Sequence, residues 1–494
     1  MTTTSPAART GHSAPGTRGA AATGHRLATD AALETIAAGG NAVDAAVAAH
    51  AVLTVVMPGS CGVGGDALFL VREPSGRVTA VNGTGASAAA APPVWAAEGG
   101  ASVTVPGAIG AWHQVLARFG SRGPAEVLAP AVRTAADGFP MYDALRERLA
   151  RQRPRLERGG AAGWSLLGAA SGDVVAQPAL AGVLERVGAE GPDAFYRGPL
   201  AAAISRAVVA DGGSMTPDDL AAHTTVVTEP VTVGWGEARV FVQPPVSQGV
   251  LLAMSLQWLD RHAGEVVAAD LDHLGAELTE AVFAFRDRCA RDGTALLDEP
   301  LDVDRTTARR RGGPKPYLHT TGVATADADG WVVSSLLTVF DDFGACTFVP
   351  EGGFVLTNRA AGFTGVPNEP GPARRPVHTL APALVERPDA VTAIATPGAD
   401  GQVQTLLQVL GRARFAGLSL AEAVSAPRWR SVASSLHVEA SFPDAEALRA
   451  RGHDVVPTPD GDGLFGAVVS ATCTPGHGTT AVGDWRRGVA AGAV

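Results

Sequence analysis

Few residues in this chain are able to carry covalent chemistry. Lys315 is the only lysine among 494 residues. P-loop NTPases and pyridoxal-phosphate enzymes each need a dedicated lysine, and no GxxxxGK[ST] run surrounds this one, so both classes are set aside. Cys61, Cys289, Cys346 and Cys473 are far apart and form no CxxC pair. That pattern suits neither a zinc ribbon nor a disulfide framework; it fits a reducing compartment, where each thiol is a small buried apolar residue. The twelve histidines include no HExxH. His273 and Glu277 are one helical turn apart, a spacing open to a metal pair or to a structural i,i+4 contact, the second being commoner. No GxSxG elbow seats a hydrolase serine. Gly62-Val63-Gly64-Gly65 follows a helix and precedes a strand, the reverse of the dinucleotide fingerprint, which favours a tight turn or a close backbone approach.

One nucleophile class needs neither cysteine nor lysine: an N-terminal threonine, whose hydroxyl attacks a carbonyl while its own α-amine takes the proton. A free α-amine has a pKa of about 7.7–8.0, so part of it is neutral near pH 7 without a histidine. Such an enzyme must cut its own chain. The sharpest change of character in the sequence lies at Asp304–Pro316, rich in Arg, Gly and Pro, followed by the Thr320-Thr321 strand start. A mobile basic linker abutting a threonine strand is what an autoprocessed precursor needs, but many loops share that composition, and pattern alone leaves the role of Thr320 open.

The elements that must position these residues alternate between helices and hairpins. Residues 1–18 are expected to be a flexible tail, and Met1–Gly24 lacks the apolar centre of a signal peptide. Leu27, Ala31, Leu33 and Ile36 recur at helical spacing until Gly39-Gly40; Asn41 can cap a second helix, Ala42–Val55, apolar nearly all round. Ala67–Arg72 and Val78–Val81 form a hairpin around Pro74-Ser75-Gly76. Helices are expected over Ala125–Ala136, Leu180–Val187, Pro199–Ala210 and His273–Ala290, and strands over Thr320–Thr325 and Trp331–Phe340. Length alone suggests about three domains. With 46% apolar and 18% charged residues there is ample core. The net charge of −10, without a basic patch, offers nothing for nucleic acid. No apolar run is long enough for a membrane span. A cytoplasmic protein without membrane partners is expected.

Gly39-Gly40-Asn41-Ala42-Val43-Asp44-Ala45-Ala46 followed by Gly62-Val63-Gly64-Gly65 resembles the opening of the γ-glutamyltranspeptidase family. The resemblance continues, in order, through Val105-Pro106-Gly107, Asp137-Gly138-Phe139, Ala194-Phe195-Tyr196-Arg197-Gly198, Pro244-Pro245 and Ala426-Pro427-Arg428-Trp429. It implies an α+β fold, a four-layer αββα sandwich of the N-terminal-nucleophile hydrolase type. It also implies a cofactor-free, metal-free precursor that cleaves itself between His319 and Thr320. The large subunit would be 19–319 after the tail, and the small subunit 320–494, both in one intertwined domain. By the same match Thr320 is the processing and catalytic nucleophile and Thr338 hydrogen-bonds its hydroxyl. Gly398 and Ala399 offer the backbone N–H groups of the oxyanion hole, with Ala399 notable if its backbone needs φ > 0.

The departures bear on substrate. Where glutathione-cleaving relatives hold the glutamyl group with an arginine, an asparagine, an aspartate and paired serines, this chain reads Thr84, Phe340, Gly362 and His378-Thr379. Without the aspartate, a substrate ammonium would be buried uncompensated, a cost of about 3–5 kcal/mol. The segments Phe340–Gly344, Asn358–Phe363, Arg375–Leu380 and Asp400–Thr405 look instead like the subgroup containing oxamate amidohydrolases. A small carboxylated or oxalyl substrate is then expected, with Arg359, His378, Thr379, Asp400, Phe340 and Thr84 around it. Arg359 is open to two readings: a two-donor fork for a carboxylate, or a buttress paired with Asp341 or Asp342. The alternatives are cleavage of an oxalyl-type C–C bond as in alkylproline-antibiotic pathways, an authentic γ-glutamyl hydrolase or transferase, and an unprocessed, inactive binding homologue. Gly322, where relatives often carry a bulkier residue, and Ala399 give the last some weight.

Overall fold

The computed structural model describes residues 11–91, 96–314 and 320–494. Two seven-stranded antiparallel sheets stack face to face, and helices cover both outer faces. In the first sheet the order is Ala490–Ala493, Gly19–Thr23, Thr321–Asp327, Val332–Thr338, Asp66–Arg72, Val78–Asn82 and Val226–Thr228. In the second it is His12–Gly16, Gly478–Gly483, Val469–Thr474, Val391–Ala395, Ala383–Glu386, Ala238–Val242 and Val231–Trp235. This is the expected four-layer αββα sandwich.

Side-chain alternation explains the layering. In Thr321–Asp327, Ala324 and Ala326 enter the core between the sheets, while Val323 enters the core under the helices. Much of the inter-sheet core is alanine (Ala20, Ala22, Ala324, Ala393, Ala395, Ala471), which lets the two sheets approach closely. Gly322 belongs to that approach: a Cβ there would lie 2.8 Å from Val469 Cγ2. Packing alone therefore accounts for the small residue.

On one outer face, Ala42–Val56 is buried along its whole length, as an all-round apolar helix must be. Asn41 caps it through a reciprocal box with Asp44, in keeping with its type and position. On the other face lie Gly249–Arg261, Leu271–Phe283 and Gly401–Phe415. The helix expected over His273–Ala290 ends at Phe283 and resumes as a 3-10 turn, Arg286–Ala290.

Two expectations are corrected. The tail expected over 1–18 is ordered in part: His12–Gly16 pairs with Gly478–Gly483, and Thr17 and Arg18 donate their N–H groups to Val494 O at 2.9 and 2.8 Å. Backbone pairing of this kind needs no apolar side chains, so composition carries no sign of it. The linker expected to be mobile is irregular but held: between Asp304 and Pro314 its backbone bonds to Glu277, Glu280, Arg451 and Ala433. Lys315 and His319 lie outside the described residues.

Candidate active site

The end of the sandwich at which Thr320 stands gathers the candidate residues. Thr320, Thr338 and Asp66 open or close three neighbouring strands on the inter-sheet face, and Thr338 and Asp66 are direct cross-strand partners. Thr320 Oγ1 donates to Thr338 Oγ1 at 3.3 Å, and the same oxygen accepts the Phe340 N–H at 2.8 Å. Phe340 turns that N–H back by adopting φ 79°, a region a bulky residue enters only when its surroundings compel it. Gly65 lets the Asp66 strand come this near, since a Cβ there would sit 2.1 Å from Thr338 O. The glycine-rich turn is thus a close backbone approach.

Thr320 opens onto a cavity of about 560 Å³, also lined by Ser60, Tyr142, Arg148, Pro397 and Val469. That volume lies in the range of small-molecule sites. Arg148 reaches in from the helix Asp143–Arg158, donating to Ser60 Oγ (2.9 Å) and, through Nε, to Asp342 Oδ1 (2.9 Å). Immediately after Pro397, Gly398 has φ +127° and Ala399 φ +47°. Their carbonyls are engaged, by Gly401 N–H (2.8 Å) and Gln402 N–H (3.0 Å) respectively. Ala399 O also accepts from Gln248 Nε2 at 3.0 Å. Ala399 does occupy the left-handed region, where an L-residue bears a strain of about 1–2 kcal/mol.

The residues expected around the substrate do not line this cavity. They form a buried layer beside it. The Arg359 guanidinium stacks over the Phe340 ring at 3.8 Å, with Arg359 0% and Phe340 2% exposed. Gly362 makes that possible: a Cβ there would meet Arg359 Nη2 at 1.9 Å. The volume that an aspartate would fill belongs to the arginine.

The contacts described for Asp341 and Asp342 run to residues other than Arg359. Asp342 is engaged by Arg148, and Asp341 accepts from Asn358 Nδ2 at 3.0 Å. His378 Nδ1 accepts the Leu380 N–H (3.2 Å), so Nε2 carries the proton and donates to Asp66 Oδ2 (3.2 Å). Burial first, then the charge of Arg359, pushes His378 down to about 4, against the pull of Asp66; it is neutral near pH 7. Thr379 O accepts from Gln248 Nε2 at 3.1 Å. Thr84 is buried, and its Oγ1 has no partner among the described residues. Asp400 is buried too, its Oδ1 3.4 Å from Arg286 Nε. A wider cleft of about 1260 Å³ lies beyond, lined by Val246, Phe363 and Arg375 but by neither threonine.

Asp66 escaped sequence reasoning. A lone acid opening an apolar strand after Gly64-Gly65 is its only trace. Arg148 was hidden differently, in an arginine-rich helix that reads as a solvated face. His273 Nδ1 and Nε2 bond to His453 Nε2 (2.8 Å) and Asp304 O (3.0 Å), while Glu277 accepts the Arg309 N–H (2.7 Å). Among the described residues no three His, Cys, Asp or Glu side chains are grouped to hold a metal. The four cysteines are free and buried, as expected. No helix among the described residues is long and apolar enough to cross a membrane.

Paired antiparallel sheets between helical layers, with a threonine at the head of a central strand beside a cavity, define the N-terminal-nucleophile hydrolase class. Comparison with known proteins narrows the class. The gamma-glutamyltranspeptidase family model matches residues 28–494, and the chain belongs to that family. It is 32% identical to the oxamate amidohydrolase proenzyme of Klebsiella pneumoniae, over 89% of this chain and 91% of that protein. Acylase ACY 1 proenzyme of a Pseudomonas species is 31% identical over 96% of this chain and 93% of its own. The crystal structure of cephalosporin acylase from Bacillus halodurans superposes with a TM-score of 0.87 at 27% identity, covering 100% of this chain and 99% of that one. The chain is accordingly a hydrolase.

Proposed function

We propose that this chain is a self-processing amidohydrolase whose nucleophile is Thr320. The observation that carries the reading is the Thr320 hydroxyl, 3.3 Å from Thr338 Oγ1 at the wall of the 560 Å³ cavity. Cleavage after His319 frees the Thr320 amine. That amine takes the hydroxyl proton as Oγ1 attacks the acyl carbonyl, then delivers it to the leaving nitrogen; water afterwards hydrolyses the ester. The Gly398 and Ala399 N–H groups, at a turn beside Thr320, are suited to bind the oxyanion; one such donor is worth about 3–4 kcal/mol of barrier. Thr338 accepts a hydrogen bond from the resting hydroxyl, which turns its proton to the freed amine as Oγ1 attacks.

The acyl group is small and carboxylated on this reading. The Arg359–Phe340 stack occupies the room a glutamyl clamp would need, and the oxamate amidohydrolase relative points the same way. A cavity of 560 Å³ is generous for oxamate, which releases only ammonia, and favours N-acyl amides with a bulkier leaving group. Assays on oxamate, on N-oxalyl and other short N-acyl amides, and on γ-glutamyl-p-nitroanilide test this. Turnover of the first groups with little release of nitroaniline is expected; brisk nitroaniline release would sink the specificity argument.

A further inference from the structure

The chain upstream of Thr320 is gripped along one face of the helix Leu271–Phe283. His273, Glu277 and Glu280 follow each other at spacings of four and three, so they share that face. Each bonds to the backbone of the passing strap. His273 Nε2 donates to Asp304 O (3.0 Å), Glu277 Oε1 accepts the Arg309 N–H (2.7 Å) and Glu280 Oε2 accepts the Arg311 N–H (3.0 Å). The Arg311 guanidinium adds a contact to Glu277 at 3.5 Å.

Glu280 also reaches past the strap. Its oxygens accept from Ser431 Oγ (2.7 Å) and Ser434 Oγ (2.9 Å), and Ser434 Oγ in turn accepts the Gly312 N–H (2.9 Å). Pro314 O accepts the Ala433 N–H at 2.9 Å. One buried carboxylate therefore ties residues before the scissile bond to the hairpin Trp429–Glu439 after it. Glu277 is 0% and Glu280 6% exposed. Two buried carboxylates satisfied mainly by backbone N–H groups and hydroxyls are costly features unless they hold something in place.

We propose that Glu277 and Glu280 are positioning residues for self-cleavage. They fix the chain as far as Pro314, five residues in sequence ahead of the His319–Thr320 bond, and the strap stays docked after the cut. A short tether raises the effective concentration of the scissile carbonyl at Thr320 Oγ1. The inference rests on the self-processing reading. It differs from a floppy linker in that the strap's anchoring, and not its composition, sets the processing rate.

The test follows cleavage by denaturing gel during cell-free synthesis. Glu277→Gln with Glu280→Gln is expected to slow processing at least tenfold. Four glycines inserted after Pro314 are expected to slow it too, and the same insertion after Pro300, ahead of the strap, to leave it unchanged. Because the double variant alters two buried side chains of the fold itself, hydrogen exchange supplies a second readout: the Arg309 and Arg311 amides are expected to stay protected in the processed wild type. Equal rates for the double variant and wild type, equal effects of the two insertions, or free exchange at both amides in the cut enzyme would each overturn the inference. A wild-type chain that never cuts itself overturns the processing reading and takes this one with it.

Discussion

Asp66 stands directly across the sheet from Thr338. The hydroxyl that receives the Thr320 hydrogen bond and the carboxylate that holds His378 therefore occupy one rung of the ladder. Movement of the Asp66 strand would be felt at Thr320, so this rung joins the buried Arg359–Phe340–His378 layer to that threonine although the layer does not line the same cavity.

Thr320→Ala is expected to leave one band near 50 kDa, while the wild type gives two near 32 and 18 kDa at about 0.1 kDa per residue. Gel electrophoresis and N-terminal sequencing check this. An intact wild-type chain would refute Thr320 as a processing nucleophile.

Thr338→Val keeps the shape and removes the acceptor 3.3 Å from Thr320 Oγ1. The lost hydrogen bond, about 1–1.5 kcal/mol, corresponds to roughly a tenfold fall in kcat with KM little changed. Steady-state kinetics on the preferred amide measures it; an unchanged kcat would remove Thr338 from the mechanism.

Gly362→Ala places a Cβ against the Arg359 guanidinium, 1.9 Å from Nη2 if nothing shifts. Overpacking of this kind costs about 1–3 kcal/mol. A lowered denaturation midpoint is expected, together with an altered preference among short acyl groups, because the arginine must move off Phe340. Wild-type stability would mean that the layer has slack the packing does not reveal.

Ala399→Gly relieves a left-handed alanine at φ +47°. Strain of about 1–2 kcal/mol is removed, and the greater flexibility of the unfolded glycine returns part of it, for a net gain of about 0.5–1 kcal/mol. Chemical denaturation reads the difference. A loss of stability would show that the Ala399 methyl packs usefully.

Acid should destabilise the fold through its buried neutral histidines. Burial pushes His50 to about 3 and His378 to about 4 from a usual 6.5. Between pH 6.5 and 4 the unfolded chain binds protons that the folded chain refuses, so stability rises with pH across that window and falls on acidification. Each group contributes up to about 1.4 kcal/mol per pH unit. Above pH 6.5 both states are neutral at these sites and the contribution is flat. Denaturation midpoints from pH 8 to 4 should show the break, and His378→Gln should soften it.

The sequence by itself determined the local elements and the identity of the nucleophile candidate. Helical spacing and the Asn41 cap fixed the first two helices, because periodicity, capping and turn chemistry act over a few residues; the Thr320-Thr321 run after an Arg/Gly/Pro-rich segment left its own role open, and only the family resemblance singled it out. Asp66 beside Thr338, Arg359 over Phe340, and Arg309 and Arg311 on Glu277 and Glu280 were decided only in three dimensions. Those contacts join residues separated by tens to hundreds of positions, and several run through backbone N–H groups that every residue possesses. Side-chain composition carries no record of them. The sequence offered Arg359 and His378 as candidates to hold substrate, with Arg359 open to a buttress role as well; the tertiary packing buried both in a layer beside the cavity, since Gly362 leaves the guanidinium a place to lie and Asp66 gives the imidazole a partner.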